Sequence, residues 1–166
     1  GQEESVAGTL IFIVLSLLVI ESICIGMLQY IDESTNVPLR FTLLGVISLL
    51  VASMMIEGYK DYGLYIFVCY LAVNAFSTAI VICRSKESMF WLKVAAVFLF
   101  FCGLHWLDFP VLSKVEWFAP IGFLLGLFLS MGIYLCLATV ALLQFKKITN
   151  DSEQRAIRAA IHDPLT

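Results

Sequence analysis

Long apolar runs joined by short links leave this chain few ways to fold. A helix needs roughly 20 apolar residues to cross the hydrocarbon core of a bilayer. Five runs meet that length, at about residues 6–31, 39–57, 63–83, 89–109 and 120–145. The links between them, "DESTNVP", "GYKDY", "RSKES" and "PVLSKVEWFA", are too short for anything but antiparallel neighbours. A transmembrane barrel would show alternating segments of about ten residues, whereas these runs are unbroken. The pattern predicts an all-α integral membrane bundle of five transmembrane helices, packed up and down. Composition agrees: 61% of the residues are hydrophobic and 14% charged, against about half and a quarter in soluble domains. The net charge of −3 is spread over links and tails. No basic patch points to a nucleic-acid partner.

Lysine and arginine set the expected orientation, because basic loops stay on the cytoplasmic side. The third link and its flank hold Arg84, Lys86 and Lys93, and the tail holds Lys146, Lys147, Arg155 and Arg158. Five crossings put these two regions on one side, with Arg40 of the first link. The N-terminus, carrying Glu3 and Glu4 and no base, then lies outside. Its "GQEESVAGTL" lacks the basic start of a cleavable signal peptide. Trp106, Phe109, Trp117 and Phe118 gather at the outer end of the fourth and fifth runs, as an interfacial aromatic belt would.

Ionisable groups inside a membrane are costly and are functional candidates. Glu21 sits deep in the first run, in "LLVIESICIG". At 1.5 Å per residue it lies about 20 Å from the outer end. Antiparallel threading brings Asn74, Ser77 and Thr78, Ser48, and Tyr134 to a similar depth. The carboxyl either pairs, stays protonated as hydrogen-bonded glue between helices, or binds a ligand, proton or metal. A second polar group, in "CGLHWLDFP", lies near the outer face: His105 and Asp108, with Trp106 and Trp117 as aromatic walls and Glu57 and Tyr59 at comparable depth. It suits a small amphipathic ligand. Cys102 and His105, three apart, share a helix face and form two ligands of a candidate metal site, which is too few to specify one. Haem on His105 is an alternative, as is a purely structural histidine. The depths of Glu21 and His105 assign them to separate sites. The five cysteines (Cys24, Cys69, Cys83, Cys102 and Cys136) lie in or at the ends of apolar runs and read as packing residues rather than a disulfide framework. Gly122 and Gly126 form a small-xxx-small pair able to bring helices close.

From Leu143 there is no Pro or Gly before Pro164. One helix is therefore expected to continue out of the membrane. Leu143, Lys147, Asn150, Gln154, Ile157 and Ile161 follow a heptad seam that is apolar only at its ends. Polar core positions weaken a coiled coil and can set its register, so a marginal parallel dimer stalk is one reading and a solvated helix the other. The stretch ends in His162-Asp163-Pro164-Leu165-Thr166. This ending, behind a helical linker, resembles the entry to the bacterial diguanylate cyclase (GGDEF) domain. A histidine-kinase phosphoacceptor segment does not place Pro directly after the Asp.

The resemblance rests on about ten residues directly and on the arrangement of the chain. It implies that residues 1–145 are a transmembrane sensor domain, 146–162 a cytoplasmic signalling helix and 163–166 the first residues of a cyclase domain. The family's Gly-Gly-Asp/Glu-Glu-Phe loop, metal-binding carboxylates and inhibitory Arg-x-x-Asp site do not occur in the 166 residues. No catalytic residue and no cofactor are therefore expected here. Mg²⁺ and GTP would belong to the following domain, which would make cyclic di-GMP. The expected partners are membrane lipid, a second copy in a parallel homodimer and a small amphipathic ligand, in a bacterial inner membrane with the C-terminus cytoplasmic. The alternatives are a membrane redox, haem or metal-binding sensor, and a small transporter that uses Glu21.

Overall fold

The computed structural model describes residues 6–33, 35–86, 88–112 and 114–161. They form five helices and no strand: α1 (Val6–Tyr30), α2 (Val37–Ile56), α3 (Lys60–Arg84), α4 (Phe90–Leu112) and α5 (Phe118–Ile161). All five are long and apolar enough to cross a membrane. The segment His162-Asp163-Pro164-Leu165-Thr166, the N-terminal Glu3 and Glu4, and the side chain of Ile161 lie outside the described residues.

The helix ends follow from local chemistry. α1 ends where Asp32 takes a left-handed conformation (φ 56°) and the Glu33 N–H donates to the Leu28 carbonyl at 3.1 Å. Asp tolerates that region better than most residues. α2 ends the same way with Gly58 at φ 91° and the Tyr59 N–H on the Met54 carbonyl at 2.8 Å. Each closure satisfies orphan carbonyls of the last turn. α2 starts earlier than the apolar run implies. The Asn36 side chain accepts from the Leu39 N–H, and Pro38 stands in the first turn, where its missing N–H costs nothing. Arg40, at the edge of the apolar run, falls in the first turn of α2.

α3 is the central helix and packs on α1, α2 and α4, while α5 packs on α4. Close approaches need glycine at two crossings. A Cβ on Gly103 would stand 2.9 Å from the Phe76 ring and 3.2 Å from the Ala75 Cβ, at the α3–α4 contact. One on Gly132 would stand 2.7 Å from the Phe98 ring, at the α4–α5 contact.

Two apolar cores result. One holds Ile13 and Leu17 of α1 against Val51 and Met55 of α2 and Phe67 and Leu71 of α3. The other lies towards the tail end of the bundle. It joins Cys24 and Met27 of α1 to Ala79 and Ile82 of α3, Leu92 and Leu99 of α4, and Ile133 and Val140 of α5. Trp106 borders both. The start of α5 belongs to neither, so a gap is left between α1 and α5 at the end of the bundle away from the tail.

α5 is one unbroken helix of 44 residues, about 66 Å long at 1.5 Å per residue. Below Ala141 its described side chains are exposed almost throughout, including Asn150, Gln154 and Ile157. Ile148, absent from the heptad seam drawn on the sequence, is 61% exposed.

Candidate functional site

Two polar places stand out, and they differ in kind. The first is built around Glu21, which is 1% exposed. Arg40 Nη1 donates to Glu21 Oε1 at 2.9 Å, forming an ion pair. Asn74 Nδ2 donates to Oε2 at 2.8 Å, and the Tyr70 hydroxyl donates to the same oxygen at 3.2 Å. Three helices contribute: α1 the acid, α2 the base, α3 the two neutral donors. A buried carboxylate is tolerable only with such partners, because removing two charges from water costs several kcal/mol per ion before pairing. Of the three fates open to the carboxyl, pairing is the one observed.

Depth along the sequence brings Asn74 to this carboxylate, as observed, but gives no sign of Arg40 or Tyr70. Tyr70 stands one helical turn before Asn74 and so shares its face. Arg40 borders the first link in sequence, yet from the first turn of α2 its side chain reaches back to Glu21, as long side chains with an apolar stem can. Tyr134 does not join the cluster: it is 52% exposed and lies on α5, which packs on α4. Ser77 donates instead to the Asn74 carbonyl at 3.0 Å. Ser48 is left without a hydrogen-bond partner among the described residues.

The second place is the gap between α1 and α5. It contains two lobes, of about 290 Å³ and about 360 Å³. Phe12, Ser16, Trp106 and Ser130 line both, so the Trp106 side chain stands between them. The Trp106 ring is stacked on Phe67, with centroids 6.4 Å apart and planes 23° apart. Tyr134 and Cys102 line the first lobe; His105 and Phe109 line the second.

His105 is buried, and its ring lies against α5 where two glycines make room. A Cβ on Gly126 would come 3.1 Å from His105 Nε2, and one on Gly122 would come 3.6 Å from its Cε1. The small-xxx-small pair thus seats a side chain of α4 in the cleft wall. Asp108 and Trp117, expected beside His105, line neither lobe. Asp108 is exposed, and Trp117 is 70% exposed and packs edge-on against Phe118. Sequence depth puts all four residues at one level, but Asp108 stands on the outward side of α4 and Trp117 lies in the turn before α5.

Cys102 and His105 face different lobes, and among the described residues no group of three His, Cys, Asp or Glu side chains could hold a metal ion. Cys24, Cys102 and Cys136 are buried in the core nearer the tail, in keeping with a packing role, whereas Cys69 and Cys83 are exposed on the outside of α3 and do not pack in the core. No family model, no curated protein and no solved structure matches the chain.

Proposed function

We propose that the chain is a membrane-embedded sensory input domain. In this reading α1 to α4 and the first half of α5 span a bacterial inner membrane, with the N-terminus outside. The second half of α5 enters the cytoplasm as a signalling helix and pairs with its copy in a parallel homodimer. It delivers its pose to a diguanylate cyclase domain beginning at Asp163. Such a domain joins two GTP molecules, one per protomer, so the relative pose of two stalks is a natural control variable.

One observation carries the reading. α5 is a single helix of 44 residues that starts at the wall of a cleft and ends next to the His162-Asp163-Pro164-Leu165-Thr166 sequence. A rigid rod with one end at a cavity and the other at a catalytic doorway can convert occupancy into rotation or tilt. The exposed tail, with Asn150 and Gln154 polar and Ile157 apolar, is what a weak, shiftable dimer seam needs. The Glu21 cluster supports the same reading over a transporter, because its carboxylate is already held by three side chains.

The test uses residues 1–166 fused to a diguanylate cyclase catalytic domain, with cyclic di-GMP as the readout. One residue inserted between Lys147 and Asn150 turns everything beyond it by about 100°. It is expected to change output at least fivefold, and seven inserted residues are expected to restore most of it. Equal output from one, three and seven inserted residues would make the stalk a passive tether and end the proposal.

A further inference from the structure

The cleft between α1 and α5 has a composition that selects its occupant. No Asp, Glu, Lys or Arg lines either lobe. The polar groups available are few: the hydroxyls of Ser16, Ser130 and Tyr134, the Trp106 indole N–H and the His105 ring. Ser130 already donates to the Gly126 carbonyl at 2.8 Å, so towards the cleft its oxygen acts as an acceptor. A charged ligand would be left without a counter-charge in an apolar site, at heavy cost. A ligand with no polar group would leave these hydroxyls unused.

The walls are rich in rings. The near-parallel Trp106 and Phe67 rings define a plane into which a flat ligand can extend the stack. The lips of the cleft are exposed: Phe12 is 66%, Leu15 55%, Phe123 69% and Leu127 48% accessible. They come from α1 and α5, so the opening is lateral, between helices, and an occupant would enter from the apolar phase of a bilayer. The two lobes, about 290 and about 360 Å³, together fall in the range of small-molecule sites.

We infer that this cleft binds a neutral, membrane-soluble ligand carrying an aromatic or quinonoid ring and one hydrogen-bonding oxygen, held beside Trp106 with its oxygen towards Ser16 and Ser130. This sharpens the sensory reading and rests on it for its purpose, while the binding itself is tested without any cyclase output. Loss of the insertion effect would end the sensory reading and leave the site standing, and the converse also holds.

Trp106 is its own reporter. The chain has 3 tryptophans, so Trp91→Phe with Trp117→Phe leaves Trp106 alone. Both replaced residues are well exposed, which keeps the risk of misfolding low. The protein is placed in phosphatidylcholine vesicles and titrated with 6-bromo-2-naphthol, a neutral ring with one hydroxyl and a heavy-atom quencher. Expected is saturable quenching of Trp106, at least tenfold tighter than with the anionic 6-bromo-2-naphthoate. A chain retaining only Trp117 should show linear, unsaturated quenching. On the unaltered chain, naphthol should raise the melting temperature with the same saturation. Linear quenching of Trp106, or equal affinity for naphthol and naphthoate, would overturn the proposal. So would saturable quenching by phosphatidylcholine with brominated tails that naphthol fails to relieve, which would make the cleft a lipid-tail groove.

Discussion

The Glu21 cluster and the Trp106 cleft are reached from two different sides of the same helix, α1. Leu17, Glu21 and Cys24 look from α1 into packed protein; Ser16, Val19, Ile20 and Ile23 look into the first lobe of the cleft. The first face carries the most polar group in the bundle and is closed. The second carries weakly polar groups and is open. A formal charge is thus a poor guide to where open space lies. Glu21 is held by three donors from two helices, which makes it a clamp between α1, α2 and α3. The cleft has hydroxyls with capacity to spare and space to use it.

Breaking the clamp should give the largest effect. Arg40→Leu leaves a buried carboxylate without its cation, and removing one member of a buried pair typically costs about 3–5 kcal/mol. A drop of that size is expected in chemical unfolding of the detergent-solubilised chain. The double variant Glu21→Leu with Arg40→Leu should be more stable than Arg40→Leu alone, because no unpaired charge is left. If Arg40→Leu unfolds like the parent chain, the pair is peripheral and the contrast between the two faces of α1 collapses.

The neutral donors grade the same contrast more finely. Asn74→Leu removes a 2.8 Å hydrogen bond to a charged oxygen, a contact worth about 1.5–3 kcal/mol. Tyr70→Phe removes a longer one, 3.2 Å, from a helix face that is only partly buried, and a loss of about 1 kcal/mol is expected. The order Arg40, Asn74, Tyr70 in unfolding free energy checks the geometry. Tyr134→Phe serves as the control, since its hydroxyl lies away from Glu21. A loss at Tyr134 equal to that at Tyr70 would contradict the arrangement of helices.

How much of this was readable in advance depends on the kind of information each feature needs. Helix number and approximate ends follow from one-dimensional hydropathy, and the five spans were legible on that basis. Depth follows from counting 1.5 Å steps, and it matched Asn74 to Glu21 correctly. Azimuth does not follow, because it depends on which helices are neighbours. Depth alone therefore admitted Tyr134 to the wrong cluster and Asp108 and Trp117 to the wrong wall. Arg40 was hidden for another reason: its backbone lies near a helix end while its guanidinium lies several ångströms further in, a displacement only long side chains make. A usable signal was present in Asn36-Val37-Pro38, which marks a helix start and puts Arg40 inside α2. Of the expected wall, Trp106 and His105 line the cleft while Asp108 and Trp117 do not, and its position between α1 and α5 is not legible from depth. Its cause is that the first turns of α5, before Leu129, are omitted from both cores, and that is a property of packing.

The smallest effect on stability should come from the open face, and it is the most discriminating. Ser16 lines both lobes and lies on the exposed side of α1. Ser16→Ala removes one hydroxyl and favours the helix slightly, so unfolding free energy should change by no more than about 0.5 kcal/mol. If the hydroxyl meets the oxygen of a ring ligand, naphthol affinity should nevertheless fall about fivefold, which is a loss of about 1 kcal/mol. The two numbers move in opposite senses only for a residue whose polar group serves a ligand and not the fold. For Asn74→Leu the pattern should reverse, with stability lost and naphthol affinity nearly unchanged. If Ser16→Ala leaves naphthol affinity untouched while Asn74→Leu weakens it, the ligand lies on the Glu21 side of α1, and the roles assigned to the two faces have to be exchanged.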